Sequence, residues 1–308
     1  MIIFLYGQDT YRSRRKLNEF IARYKDVHKE ALGLRRFEGK DLDFRDFREE
    51  IESTSIFGER KLFILEDVFS NQEFKDRFIK DKKRVLSSDS TILVYEGGKP
   101  DKRDKFFRFL IKNSKSQEFG FLNEGQLERW IVSELSRYNI KIEQRALSRL
   151  IGFVGVDLWR MANELRKLSS FKGENSVVGE EDVRALVSPK IDGDIFRTIN
   201  AIAEKDKKTA LGLLRAHLNA GESPLYLFSM IDFQFRNLLL LKDLLERGLP
   251  PYSSDLHPYA IKKNLPLLRK FTSGQLKKIY RRLFELDLEI KSGKINPELG
   301  LDLFVTEI

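Results

Sequence analysis

The sequence predicts an α/β layer followed by all-α structure, and three observations carry that prediction. Short apolar runs alternate with amphipathic stretches from Met1 to about Asn123, which argues for a mainly parallel sheet with helices between its strands. After Asn123 the strand signals stop, and the apolar residues recur at helical spacing. From Ile191 onward every pattern is helical.

Five runs read as strands: IIFLYG (2–7), LGLRRF (32–37), KLFILED (61–67), TILVYEG (91–97) and SQEFGF (116–121). Asp9 and Thr10 follow the first run and precede a helical pattern, so they read as its cap. A second helix is expected from Asp43 to Ser53. Asp101, ahead of KRDKFFRFLIK, reads as an N-cap, with Asp104 in the first turn where a negative charge complements the helix dipole. A small helical domain then follows in three stripes. They are Leu127, Trp130, Ile131, Leu135 and Tyr138; Ala146, Leu147, Leu150 and Ile151; and Leu158, Ala162, Leu165 and Leu168. Trp130 and Trp159 are assigned to the core of that domain. SFKGENSVVGEEDV reads as a turn and then a helix start, and Ser188-Pro189 as a boundary. The remaining helices break at Gly221, at Gly248 to Pro251 and at Ser292-Gly293. The expected domains are therefore 1–123, 124–189 and 190–308.

Composition narrows the classes of function. The 308 residues contain no cysteine, which excludes disulfides and thiolate metal sites and points to a reducing compartment, the cytoplasm. MIIFLYGQD lacks a basic leader region and reads as a strand rather than an export signal. The greasiest segment, Leu225 to Leu245, is interrupted by Asp232, Arg236, Lys242 and Asp243, so it reads as a buried helix and no membrane span is expected. A formal net charge of +9 suits a polyanionic neighbour, nucleic acid among them, as well as a plain solvated surface.

No catalytic, cofactor or metal residue is assigned. A phosphate loop would stand after the first strand, but Gly7-Gln-Asp-Thr-Tyr-Arg-Ser-Arg-Arg-Lys16 lacks the second glycine and the Lys-Ser/Thr pair, and Asp9 would set a negative charge beside the phosphates. Glu66-Asp67 ends a strand as some metal sites do, yet no phosphate loop completes one. His28, His217 and His257 are far apart in sequence, without the spacing of a metal set or a triad.

Two features remain. STSIFGERK (53–61) sets Ile56 and Phe57 among hydroxyls, a glycine and charges, either tucked under the sheet or offered to a partner. Between Asp255 and Glu285 stand Lys262, Lys263, Arg269, Lys270, Lys277, Lys278, Arg281 and Arg282 with no acidic residue among them. On the helix expected after Thr272, Leu276, Ile279, Tyr280 and Leu283 form the inward stripe, which places Lys277, Lys278, Arg281 and Arg282 on an outer flank, joined by Lys291 and Lys294. That flank is either a solvated face or a surface for nucleic-acid phosphates or an acidic partner.

In order along the chain, FLYGQDTY (4–11), SIFGERKLFILED (55–67), LVYEGGKPDKRDKFFRFL (93–110), VGVDLWRMANELRKL (154–168), IFRTINAI (195–202), the run from Ala210 to Leu245, HPYAIKK (257–263) and DLEIKSGKINPELGLDLFV (287–305) resemble the delta-subunit family of bacterial DNA polymerase III. The resemblance covers essentially the whole length. It implies an AAA+-like module, made of a RecA-like α/β domain and a small helical lid-like domain, followed by a helical collar. It also implies a clamp-loader subunit that binds and opens the sliding clamp, with delta-prime and motor ATPase subunits as partners. Those partners bind the ATP, and primer-template DNA is reached through the assembly. In that family an apolar pair enters a hydrophobic pocket of the clamp. Ser55, Ile56, Phe57 and Gly58 match the motif position by position, with Ile56 where Leu is commoner. Two readings from other classes stand beside this one: an active P-loop-type ATPase, opposed by the loop after Gly7, and a free-standing DNA-binding protein, for which no reading motif exists.

Overall fold

The computed structural model describes residues 1–28, 32–53, 60–188, 192–219 and 221–308. It divides into two compact units, Met1–Phe121 and Leu122–Ile308.

The first unit carries β1 (Ile2–Tyr6), α1 (Thr10–Val27), β2 (Leu34–Glu38), α2 (Phe44–Glu52), β3 (Leu62–Glu66), α3 (Gln72–Lys80), α4 (Lys82–Ser87), β4 (Thr91–Glu96), α5 (Lys105–Asn113) and β5 (Lys115–Glu118). The five strands form one parallel sheet in the order β2-β3-β4-β1-β5. A parallel sheet needs cover on both faces, and β1 and β3 are buried along their whole length. On one face Phe4, Phe63 and Val94 pack against Phe47, Phe74, Phe78 and Phe106 from α2, α3 and α5. The rings meet mostly edge to face, as Phe78 and Phe106 do at 5.2 Å between centroids. On the other face Ile3, Leu5, Ile64, Leu93 and Tyr95 pack against Leu17 of α1. The edge strand β5 is exposed throughout and polar, KSQE, a composition that discourages pairing with another chain. The run expected as strand 116–121 therefore ends early, and its first aromatic residue, Phe119, is buried just past the strand.

Helix starts follow side-chain chemistry. Asp9 caps α1 and Asp43 caps α2, each carboxylate accepting a backbone N–H of the first turn. The cap of α5 is Asp104, which accepts from Phe106 N at 2.6 Å, and not Asp101. Asp101 instead accepts the Arg103 backbone N–H at 2.9 Å and pairs with the Arg103 side chain, so it makes the turn before the helix. Asp104 also receives the buried ammonium of Lys75 at 2.7 Å, which ties α3 to the start of α5.

The second unit carries α6 (Glu124–Ser136), β6 (Lys141–Ile142), α7 (Gln144–Val154), α8 (Leu158–Lys172), β7 (Val177–Val178), α9 (Glu180–Leu186), α10 (Asp192–Ala203), α11 (Lys207–Asn219), α12 (Pro224–Glu246), α13 (Pro258–Leu268), α14 (Ser273–Lys291) and α15 (Pro297–Glu307). The three apolar stripes hold, with Leu127, Ile131, Leu135, Leu150, Leu165 and Leu168 buried. Three sequence expectations are corrected. Trp159 is 49% exposed and Trp130 half-buried, so neither is a core residue, and Tyr138 faces solvent. Strand pairing does not stop at Asn123, because β6 and β7 form a short parallel ladder, Lys141 to Val177 and Ile142 to Val178, too brief for a periodic signal. The segment Leu225 to Leu245 is helical but only one side is buried: Leu227, Ile231, Phe235, Leu238 and Leu241 face the core, while Leu225, Tyr226, Phe233, Leu240 and Leu245 are exposed. Turns at Gly221, Gly248 and Gly293 adopt positive φ, so the expected breaks fall where glycine is needed. No helix among the described residues is long and apolar enough to cross a membrane.

Two positions in the first unit give direct tests. Gly39 begins a 3-10 turn after β2 and lies so close to Val68 that a Cβ would stand 2.4 Å from the Val68 Cα, backbone against backbone. Gly39→Ala is expected to cost about 1–3 kcal/mol in urea unfolding, as overpacking does, whereas Gly98→Ala, where a Cβ meets nothing within 4 Å, stays close to the parent. At the end of β4, burial first and then the charge of Asp67 push the Glu96 carboxyl up to about 7, against the Phe69 backbone N–H and Lys75. The folded chain thus holds a proton that the unfolded chain, near its ordinary value of 4.5, has released. That stabilisation is complete below the lower value and lost as pH rises through the upper one. Glu96→Gln should melt close to the parent at pH about 4.5 and increasingly above it as pH rises from there to about 7, levelling off beyond, the direction linkage requires.

Candidate functional site

Three places are candidates: the carboxyl end of β1, the base of segment 54–59 and the basic flank of α14.

Open α/β sheets bind ligands at the carboxyl ends of their strands, where a helix N-terminus can hold phosphate. Here β1 runs into Gly7 (φ +135°), where a Cβ would stand 2.3 Å from the Phe119 carbonyl oxygen. Phe119 N donates to the Tyr6 carbonyl at 2.7 Å, and Asp9 N donates to the Phe119 carbonyl at 3.0 Å. The Asp9 carboxylate, almost wholly buried, accepts Arg12 N at 3.0 Å and pairs with Arg12 Nε at 2.6 Å. The head of α1 is thus taken up by a carboxylate and by the chain after β5. Arg12 also donates to the Gly120 carbonyl, holding that chain in place. Glu66 is spoken for by Arg14 and Arg36, and Asp67 accepts Gly97 N at 3.2 Å.

The histidines have structural partners. His28 lies against Tyr24 with its ring tilted by 39°, His217 Nδ1 lies 2.9 Å from Glu222 Oε2, and His257 Nδ1 accepts Tyr259 N at the start of α13. Among the described residues, no group of three or more His, Cys, Asp or Glu side chains is placed to hold a metal ion.

Ser55, Ile56, Phe57 and Gly58 lie outside the described residues, within 54–59. The residues on either side of that segment are held together. Lys61, its side chain only 11% exposed, extends its ammonium to the Glu50 carbonyl at 2.9 Å and the Ser53 carbonyl at 2.8 Å, and also to the Ser53 hydroxyl. A cation at the last carbonyls of α2 complements the helix dipole and supplies donors those carbonyls lack. Tyr24 OH donates to the Arg60 carbonyl at 2.9 Å, and the Lys61 carbonyl accepts Thr91 N at 2.9 Å. Sequence reasoning passed over Lys61 and Tyr24. The one signal was a lysine directly ahead of a strand that opens on four apolar residues.

On α14 the inward stripe is Leu276, Ile279, Leu283 and Leu286, with Tyr280 half-buried. Lys277, Lys278 and Arg281 are exposed as expected, and among the described residues their side chains meet no hydrogen-bonding or ionic partner. Arg282 differs. It binds Glu307 through two nitrogens and reaches Glu285 at 3.3 Å and Glu289 at 3.5 Å, and the bond to Glu307 first among these holds it protonated. Lys291 pairs with Asp287 at 2.6 Å, Lys270 with Glu204 at 2.6 Å and Lys262 with Glu124 at 3.1 Å. The band is therefore not wholly unopposed, because acids from distant parts of the sequence return to it. Lys294 is exposed.

Comparison with known proteins places this geometry in a family. The model of DNA polymerase III, delta subunit, matches residues 4–119, and that of the DNA polymerase III delta subunit, C-terminal domain, matches 192–308. The DNA polymerase III subunit delta of Bacillus subtilis (strain 168) is 26% identical over 319 residues of alignment, spanning 99% of this chain and 91% of that protein. The probable DNA polymerase III subunit delta of Aquifex aeolicus (strain VF5) is 23% identical over 292, spanning 88% of this chain and 79% of that protein. The solved structure of the Bacillus subtilis DNA clamp loader delta protein superposes with a TM-score of 0.73 over 99% of this chain and 94% of that one, at 23% identity, which shows a shared fold. That fold is the expected α/β plus all-α one. With one family's models matching both its α/β part and its last helices, the chain belongs to the DNA polymerase III delta subunit family.

Proposed function

We propose that this chain is the clamp-loader subunit that binds and opens the sliding clamp for loading on primed DNA, acting by binding rather than by catalysis. The observation that carries this reading is the head of α1 in a chain of this family: Asp9 and the Phe119 backbone stand where a nucleotide's phosphates would need donors. ATP is then bound by the motor subunits, with delta-prime beside them in a cytoplasmic assembly, and this chain contributes the clamp contact. The contact is made by Ser55, Ile56, Phe57 and Gly58, and the Lys61 and Tyr24 bonds support it by fixing the residues that flank the segment. Two apolar anchors contribute roughly 1.5–3 kcal/mol each when buried, before the cost of association. Opening follows when the docked state favours a clamp interface already parted, so differential affinity supplies the mechanical bias. The exposed cations Lys277, Lys278, Arg281 and Lys294 face an anionic surface of the loaded assembly, primer-template DNA or an acidic subunit. Arg282 and Lys291, already paired, add less.

Two measurements test the reading. Calorimetry of the isolated chain with Mg-ATP should show no binding at micromolar concentrations, and turnover abolished by changes in the Gly7 loop would overturn the assignment. Ile56→Ala with Phe57→Ala should remove capture by the cognate ring clamp while the melting temperature stays close to that of the parent. Loss of several kcal/mol of stability, the usual cost of deleting two buried side chains, would return the pair to the core.

A further inference from the structure

The unpaired part of the α14 flank borders a cavity of about 520 Å³ between the end of α10, the turn after α13, α14 and the end of α15. Lys205, Lys278 and Arg281 line it, and among the described residues none of their three side chains has a hydrogen-bonding or ionic partner. Two further cations on its wall are already satisfied, Lys270 by Glu204 and Asn200, Arg282 by Glu307 and Glu285. Those pairs tie α13's end to α10 and α14 to α15, so the walls are braced. The free charge is left at three defined points. Lys277 lies one residue away on the same helix but does not line the cavity.

We infer that this cavity is the docking site for an acidic peptide segment of a partner protein, one that carries an apolar side chain between its carboxylates. The inference rests on the reading of this flank as a surface for an anionic partner. Charge complementarity selects the sign of the occupant, since three uncompensated cations in a partly enclosed space favour a ligand bearing carboxylates or phosphates. The volume lies within the range of ligand-binding clefts and takes a few residues of extended chain. The arrangement of charge selects a peptide over a nucleic-acid backbone. Glu285 and Glu307 stand on the same wall, and an unbroken run of phosphates would pass both, whereas a peptide sets its carboxylates singly against Lys205, Lys278 and Arg281. Ile279 and Phe271 also border the cavity and offer an apolar side chain a place to rest.

The experiment uses the full chain and two fluorescent probes, a carboxylate-rich peptide containing leucine and a short oligothymidylate, each titrated at several salt concentrations. The peptide should bind, and Lys278→Gln and Arg281→Gln should each weaken it about tenfold, the loss of one charge-assisted hydrogen bond, with unchanged circular dichroism and melting. Lys99→Gln should leave peptide affinity within about twofold, since it is an exposed lysine away from this flank. An analogue peptide with its carboxylates amidated should not bind. The inference is overturned if the oligothymidylate binds through the same two residues and the peptide does not, if neither probe binds, or if Lys99→Gln weakens the peptide as much as Lys278→Gln. If the peptide binds but the changes at Lys278 and Arg281 have no effect, it sits elsewhere and the inference is overturned, and if oligothymidylate binding is equally unmoved by them the broader reading fails as well.

Discussion

The pairing of Phe119 with the exit of β1 is the constraint on which the first unit depends. Phe119 N–H bonds the Tyr6 carbonyl and the Phe119 carbonyl takes Asp9 N–H, so the chain after β5 crosses the place where a phosphate loop would open. Gly7 follows from that crossing, because any Cβ there would run into the Phe119 backbone. Asp9 follows as well. With no anion to receive, the donors at the head of α1 need an internal acceptor, and a carboxylate held by Arg12 satisfies them. One closure thus fills the head of α1 with the chain's own carboxylate and backbone.

The first unit is made firm by packing. Phe47, Phe74, Phe78 and Phe106 lock α2, α3 and α5 onto the sheet, and their ring contacts fix relative orientation as well as excluding water. Lys61 extends that rigidity to the surface. Its stem is buried and its ammonium ties the end of α2 to the start of β3, so the residues flanking 54–59 are set by the core.

The α/β layer was legible because each of its buried strands is a near-continuous apolar run, and Asp9 and Asp43 were legible as caps because an acid before an amphipathic stretch has a local purpose. Asp101 was misread for the same local reason. Asp104 is equally well placed by sequence, and what selects it is Lys75, a partner 29 residues away. Trp159 was taken for core because its spacing fits a stripe, yet a stripe fixes angle and not depth, and the first turn of α8 leaves it half in solvent. The ladder of β6 and β7 escaped because two residues cannot show a period. Of the candidate site, the motif at Ser55–Gly58 was visible as sequence, while the roles of Lys61, Tyr24 and Phe119 arise only when distant segments meet.

Charge shows the same division between local and non-local information. Counting acids between Asp255 and Glu285 finds none, which makes the band look uniform. Folding brings Glu124, Glu204 and Glu307 to Lys262, Lys270 and Arg282, and the band resolves into residues that brace the second unit and residues that remain available. An ion pair that is partly shielded and shared among several acids, as at Arg282, resists competition from a polyanion, because breaking it strands three carboxylates. An exposed lysine such as Lys278 loses only hydration when it meets a ligand. Net charge therefore says how strongly a protein is drawn to an anion, and the pattern of compensation says where the anion can be held.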